Sequence, residues 1–262
     1  MRRIDYLAKN LAQVFSIRAL STSALLQPKT YVNGSWIGAR SGDTFEVTNP
    51  ANGAIIATVP NMTVDDTSNA VDAAHLAFKD WGFKTLAKER SAILQKWSNL
   101  CMENKDELAR ILTTENGKPF AEAGTEIVYG TSYLEWYAQE ARRIYGDIIP
   151  TNAHGRQLLH YKEPVGVAAL ITPLTWNFPF AMITRKAAAA LAAGCTVVLK
   201  PAEDTPLSAL ALANLAEKAG VPKGVFNIVT ADRQHTASIG KFLCESPKVA
   251  AISFTGSTAV GK

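Results

Sequence analysis

From residue 165 onward, short apolar runs alternate with helical patterns, and this rhythm leaves few folds open to the chain. Residues 165–171, 196–199, 225–229 and 249–254 read as buried strands, and residues 180–193, 206–219 and 236–245 between them carry helical periodicity. A strand that returns through a helix of this length pairs in parallel with the strand before it. Parallel sheets bury both faces, so their strands are almost wholly apolar. The punctuation agrees: Gly194 and Gly220 stand at helix ends and Pro206 at a helix start. The expectation is an α/β protein, a Rossmann-like, doubly wound parallel sheet with flanking helices. A last helix opens just before residue 262.

The chain ahead of this region is organised differently. Residues 31–37, 45–47 and 55–59 read as short strands, with turns at Asn33-Gly34, Ser41-Gly42-Asp43 and Asn49 to Gly53. The period then becomes helical: Val71, Ala74, Leu76 and Phe78 mark one helix, and Ile93, Leu94, Trp97, Leu100 and Leu108 mark another. Residues 122–144 mark a third, carrying Tyr129, Tyr133, Trp136 and Tyr137. Aromatics at helical spacing are expected as packing core. Residues 146–150 break the helix, and 157–161 are extended. Residues 141–161 therefore read as an exposed hairpin arm with a free strand edge, suited to pairing between subunits.

Charge is placed unevenly. Of 27 Lys and Arg and 23 Asp and Glu, residues 1–29 hold Arg2, Arg3, Lys9, Arg18 and Lys29 against Asp5 alone, which leaves the body neutral. The basic balance gives no reason to expect a nucleic-acid partner. The acid-free interval from Tyr6 to Gly42 contains spaced apolar residues and the Ser21-Thr22-Ser23 cluster. This is the pattern of a mitochondrial transit peptide over residues 1–28, with a matrix destination and a folded part over 30–262. No apolar run reaches membrane-spanning length. Cys101, Cys195 and Cys244 lack paired or metal-ligand spacing, so they are expected as small packing residues, with no metal site.

Three sites fall at the carboxyl ends of expected strands, where open α/β sheets bind ligands. Gly256-Ser257-Thr258-Ala259-Val260-Gly261 follows the last strand and opens the last helix, where free backbone N–H groups favour a phosphate. Lys200-Pro201-Ala202-Glu203 follows the second strand; an ammonium and a carboxylate together can hold ribose hydroxyls. A carboxylate at that position repels a 2′-phosphate and so favours NAD. Trp176-Asn177 follows the first strand, and the Asn177 amide can donate to an oxyanion. Taken singly, each is also an ordinary turn or charged loop.

Together, TWNFP, AMITRK, the long run AAGCTVVLKPAEDTPLSALALANLAEKAGVPKGVFNIVT and ISFTGSTAVGK make the chain resemble the aldehyde dehydrogenase superfamily. The branch is the one that oxidises succinate semialdehyde, and the match runs from about residue 31 to residue 262. The resemblance implies that Asn177 stabilises the oxyanion and that Trp176 lines the cofactor cleft. It implies that Lys200, Pro201, Ala202 and Glu203 hold the adenosine ribose of NAD. Gly256, Ser257, Thr258, Ala259, Val260 and Gly261 are implied to line the pyrophosphate and nicotinamide side of the cleft. Arg185 is implied to grip the substrate carboxylate, which its planar fork can pair with through two hydrogen bonds. A small-molecule aldehyde substrate and a homo-oligomer, dimer or tetramer, complete the implied picture.

The family's nucleophilic cysteine and general-base glutamate follow the helix opened by GSTAVG and match nothing in this chain. Two extra residues stand before Trp176 relative to the family's TPWNFP. The expectation is a truncated aldehyde dehydrogenase fold, an inactive N-terminal part of an enzyme for 4-aminobutyrate degradation. Two alternatives stand beside it: a non-catalytic dinucleotide-binding or interaction fragment, and a dehydrogenase for glutarate semialdehyde or another carboxylated aldehyde.

Overall fold

A computed structural model describes residues 23–172 and 178–261 of the chain. The expected oxyanion and cleft residues Asn177 and Trp176 lie outside the described residues, as does most of the expected leader. Strands β1 (Thr30–Val32) and β2 (Ser35–Ile37) form a hairpin with Thr30 opposite Ile37. Its two turn residues, Asn33 and Gly34, both have positive φ, 51° and 71°, as a two-residue hairpin turn requires. A second hairpin joins β3 (Thr44–Thr48) to β4 (Ile55–Pro60). Four helices follow: α1 (Val64–Phe83), α2 (Ala87–Glu103), α3 (Lys105–Asn116) and α4 (Phe120–Glu140). A 3₁₀ turn over Ala141–Arg143 ends the helical expectation for 122–144 a little early.

The expected arm is a two-stranded hairpin, β5 (Asp147–Ile149) against β6 (Leu158–His160), in antiparallel register with Ile148 opposite Leu159. All six of its strand residues are exposed. The alternating region then gives β7 (Val167–Ile171), α5 (Pro179–Ala192), β8 (Thr196–Lys200) and α6 (Pro206–Ala219). It continues through β9 (Phe226–Ile228), α7 (Arg233–Glu245), β10 (Val249–Phe254) and the short α8 (Thr258–Gly261). Proline begins both α5 and α6, where its missing N–H costs no helical hydrogen bond. Gly194, with φ of 90°, turns the chain after α5 and lies close against Gly82 and Pro164.

The sheet is parallel, in the order β10-β7-β8-β9. Successive strands step outward from β7 to β9, and the chain then crosses back to place β10 on the other side of β7. Alternation along the strands divides the core between the two faces. Ala168, Leu170, Val197, Leu199, Phe226 and Ile228 pack against α2 to α6, with Trp97, Leu112, Ile127, Phe180 and Leu210 among their buried neighbours. Val167, Ala169, Val198 and Val229 meet Ala70, Val71 and Ala74 of α1 and Ile239 and Leu243 of α7. Helices on both faces make this the doubly wound arrangement expected. The β1 hairpin is tied to the β9 edge, where the Thr30 hydroxyl donates to the Ile228 carbonyl (2.9 Å) and the Asn33 N–H to Asn227 Oδ1 (2.9 Å).

Three expectations are corrected. Tyr129 and Trp136 are exposed, because α4 turns Ala123, Ile127, Leu134 and Ala138 to the core and sets these two aromatics on another face. Cys244 is exposed near the end of α7, whereas Cys101 and Cys195 are buried as packing residues. Strand β10, expected as buried, is mostly exposed, because it is the edge strand beside β7 and little packs over it: Ile252 is 39% and Phe254 37% exposed. Ahead of β1, Leu25 is 1% exposed and belongs to the main core.

Candidate functional site

The order of strands reverses between β7 and β10, and a parallel sheet opens a crevice at such a switch point, beyond the carboxyl ends of its strands. Pairing continues past both strands, with the Thr255 N–H donating to the Ile171 carbonyl (3.1 Å) and the Thr172 N–H to the Lys200 carbonyl (3.2 Å). Thr172, Lys200 and Thr255 are thus held at one edge, where Lys200 to Glu203 and the GSTAVG turn follow their strands.

Lys200 is the last residue of β8 and is 3% exposed. Its Nζ lies 3.5 Å from Glu203 Oε2. Burial pulls the ammonium pKa down, and the charges of Glu203, Asp232 and Asp204 oppose the shift. Asp204 is pushed up by burial and by Glu203, against Arg233 and Lys200. Pro201 and Ala202 are buried and give the loop a fixed floor. The result is one nearly buried cation beside a partly exposed carboxylate, a donor and an acceptor suited to a vicinal diol.

Asp232, which sequence reasoning did not single out, fixes the neighbouring turn. It caps α7, accepting from the His235 N–H (2.9 Å) and from Asn61 Nδ2 (2.8 Å), while its own N–H donates to Asn61 Oδ1 (3.0 Å). Burial raises its pKa, but the His235 and Asn61 hydrogen bonds outweigh that and leave it lowered. The Asp232-to-His235 spacing is a legible capping signal; the Asn61 contact bridges distant sequence and is not.

The start of α5 is occupied by Glu126 of α4, which accepts from the N–H groups of Phe180 (2.9 Å) and Ala181 (3.2 Å). Lys118 pairs with the same carboxylate at 2.5 Å and lies 4.6 Å from the centre of the Phe178 ring. Burial raises the Glu126 pKa against the pull of Lys118. The start of α6 is occupied by Glu115, which accepts from the N–H groups of Leu207 (2.7 Å) and Ser208 (2.9 Å) and from the Ser208 hydroxyl. Burial pushes Glu115 up to about 8, against those hydrogen bonds from Ser208 and Leu207.

Side chains of the chain itself, Glu126, Glu115 and Asp232, therefore already accept from the free N–H groups that open α5, α6 and α7. At the turn before α8, none does so among the described residues. A phosphate at this edge has the Gly256–Thr258 turn left to it. Gly256, Ser257, Thr258, Ala259 and Gly261 are exposed there, and the Phe254 ring fills the space that a Cβ on Gly256 would take. The Gly261 N–H donates to the Ser257 carbonyl (3.1 Å), closing the first turn.

Arg185 lies six residues along α5 from its first residue, roughly 9 Å from the crevice end by helical rise. It is half-buried, and its guanidinium donates to the Met182 sulfur. The Tyr129 pKa is raised by its hydrogen bond and charge interaction with Tyr133 and by burial, and the Arg185 charge opposes this. Tyr129 also meets the Phe178 ring, at 5.8 Å between centroids. The two tyrosines and Phe178 form an aromatic group beside the start of α5. Sequence reasoning put the tyrosine pair in the packing core because helical spacing alone does not say which face is covered.

None of the three thiols stands at this edge. Cys195 precedes β8 and Cys244 closes α7, both at the opposite, amino-terminal edge of the sheet; Cys101 is buried in α2, where burial drives its thiol pKa far up. Among the described residues, no cluster of three metal-ligating side chains exists, and no helix is long and apolar enough to cross a membrane.

The sequence profile of the aldehyde dehydrogenase family matches residues 36–262. The chain is 54% identical to the mitochondrial succinate-semialdehyde dehydrogenase of Homo sapiens over 241 residues, 92% of this chain and 44% of that protein. It is 53% identical to the NADP(+) succinate-semialdehyde dehydrogenase GabD of Escherichia coli K12 over 243 residues, 93% of this chain and 49% of that one. The crystal structure of an aldehyde dehydrogenase from Brucella melitensis biovar abortus 2308 superposes with a TM-score of 0.87 at 52% identity, covering 91% of this chain and 48% of that one. The chain spans about half the length of each of these proteins.

Proposed function

This chain belongs to the aldehyde dehydrogenase family, and on that footing we propose that it is the dinucleotide-binding part of an enzyme that oxidises an aldehyde carrying a remote carboxylate. Succinate semialdehyde is the first choice of substrate, and glutarate semialdehyde is the second member of the same class. The observation that carries the reading is the crevice at the β7/β10 switch point. It has Lys200 and Glu203 on one side, a helix start without a carboxylate on another, and Arg185 on the helix that leaves β7.

A dinucleotide supplies a hydride acceptor when bound. The residues present fit it: Lys200 and Glu203 offer a donor and an acceptor to the adenosine ribose, and Pro201 and Ala202 form the buried floor. Gly256, Ser257 and Thr258 offer backbone N–H groups to the pyrophosphate, with Ala259, Val260 and Gly261 continuing that helix. Asn177 and Trp176 take their roles from the family pattern, as oxyanion donor and cleft wall. Arg185 holds the substrate carboxylate through its planar fork. No nucleophile or general base is assigned to this chain, because its thiols stand away from the crevice. A mitochondrial destination fits the basic, acid-poor leader and the human relative; the E. coli relative is as similar and has no such compartment. The exposed arm over 141–161 fits a homo-oligomer.

Glu203 decides the cofactor. Its carboxylate repels a 2′-phosphate, so NAD is preferred over NADP. Calorimetric titration of the chain with each dinucleotide tests this. Tighter binding of NAD is expected, with Glu203→Ser narrowing the ratio by roughly tenfold or more. A ratio unchanged in the variant means that Glu203 does not read the ribose.

A further inference from the structure

The segment just ahead of β1 is part of the fold. Leu25 is 1% exposed within the main core, and Leu26 packs against the same cluster. A small turn shapes the segment, with the Leu26 N–H donating to the Ser23 carbonyl (3.3 Å) and the Leu25 N–H to Ser23 Oγ (3.2 Å). Two helices hold it from either side. The Ser23 hydroxyl donates to Glu107 of α3, and Asn214 Nδ2 of α6 donates to the Ala24 carbonyl at 3.4 Å. Asn214 is itself 5% exposed, so removing the Ala24 carbonyl would leave a buried amide donor without its acceptor.

The basic leader and this docked segment do not overlap. Arg2, Arg3, Lys9 and Arg18 all precede Ser23, and between Ser23 and Pro28 there is no charged residue. The amphipathic, basic character that import machinery reads is complete without residues 23–28. A cut at residue 28 would strip Leu25 from the core and expose the apolar floor beneath it. A cut ahead of Ser23 would leave the core whole.

We propose that Ser23–Pro28 is a permanent strap clamped between α3 and α6, and that leader processing ends on the amino-terminal side of Ser23. The proposal rests on the mitochondrial reading only for the cut itself; the strap stands on packing alone. The full chain, expressed with a C-terminal tag in cultured human cells, is recovered from the mitochondrial fraction, and its N-terminus is determined by mass spectrometry. An N-terminus at or before Ser23 is expected, and one after Ser23 overturns the proposal. In parallel, the melting temperature of the full chain is compared with that of Leu25→Ala, where a fall of at least about 4 °C is expected from loss of a buried leucine. Recovery of intact chain from the cytosol alone removes the mitochondrial reading and with it the cut. Melting then decides the strap, and an unchanged temperature in Leu25→Ala overturns it.

Discussion

At the residue scale, the buried carboxylates are the costly features, and they lie behind the crevice. Glu115 and Glu126 each spend their acceptor capacity on the N–H groups that open a helix. This holds the starts of α5 and α6 in place and removes them as competitors for a phosphate. Glu115 has a folded pKa of about 8 against an ordinary value of 4.5. A group raised in this way contributes stability below pH ~4.5, and the contribution is lost as the pH climbs toward ~8, because the unfolded chain releases the proton first. Thermal melts at pH 5 and pH 9 should therefore show a higher melting temperature at the lower pH. Glu115→Gln, which has no proton to release, should flatten that difference. Parallel pH curves for the two proteins would assign the dependence to another group.

At the element scale, α4 and α5 cross closely enough to tie the aromatic face to the crevice. Gly130 sets that approach: a Cβ there would lie 2.5 Å from Phe180 Cδ1 and 3.1 Å from the Ala181 Cα. Phe180 and Ala181 are the residues whose N–H groups Glu126 receives, so a wider crossing would also pull the carboxylate from its helix. Gly130→Val is expected to destabilise the protein by about 1–3 kcal/mol through overpacking, measured by urea denaturation. The N–H groups of Phe180 and Ala181 should lose protection in hydrogen exchange. A variant as stable as the parent would mean that α5 can shift without cost and that its start is not held by this contact. Gly124 of the same helix, where a Cβ finds only the end of Lys105 at 3.5 Å, is the control.

At the scale of the whole molecule, the β5–β6 arm stands apart from the core. Ile148 is 81% exposed and Leu159 69% exposed, and they lie opposite one another in register. Two strands alone are marginal in water, and an apolar pair on an uncovered hairpin is expected to find a second surface. Ile148→Asp should shift the protein toward monomer in sedimentation velocity without lowering its dinucleotide affinity, because the arm lies outside the crevice. A parent already monomeric at tens of micromolar, or a variant that sediments as the parent does, would remove the arm from assembly.

The order of elements, the parallel pairing and the crevice edge were determined by the sequence alone. The apolar runs of β7, β8 and β9 are buried on both faces, whereas the run at 249–254 forms the largely exposed edge strand β10, and Pro206, Gly194 and Gly220 mark where helices start and stop. That Lys200, Glu203 and the GSTAVG turn stand at the carboxyl ends of strands was legible, because strand ends in such a sheet lie along one edge. Only the tertiary structure decided which side of α4 is covered, which is why Tyr129 and Trp136 are exposed while Ile127 and Leu134 are buried. It also decided that Glu115 and Glu126 close the helix starts and that Asn61 braces Asp232, a contact across 171 positions. Leu25 shows the difference most sharply: by composition it continues the leader, and by packing it belongs to the core. Periodicity reports that a residue has an apolar side; whether that side is filled depends on what distant segments bring to it.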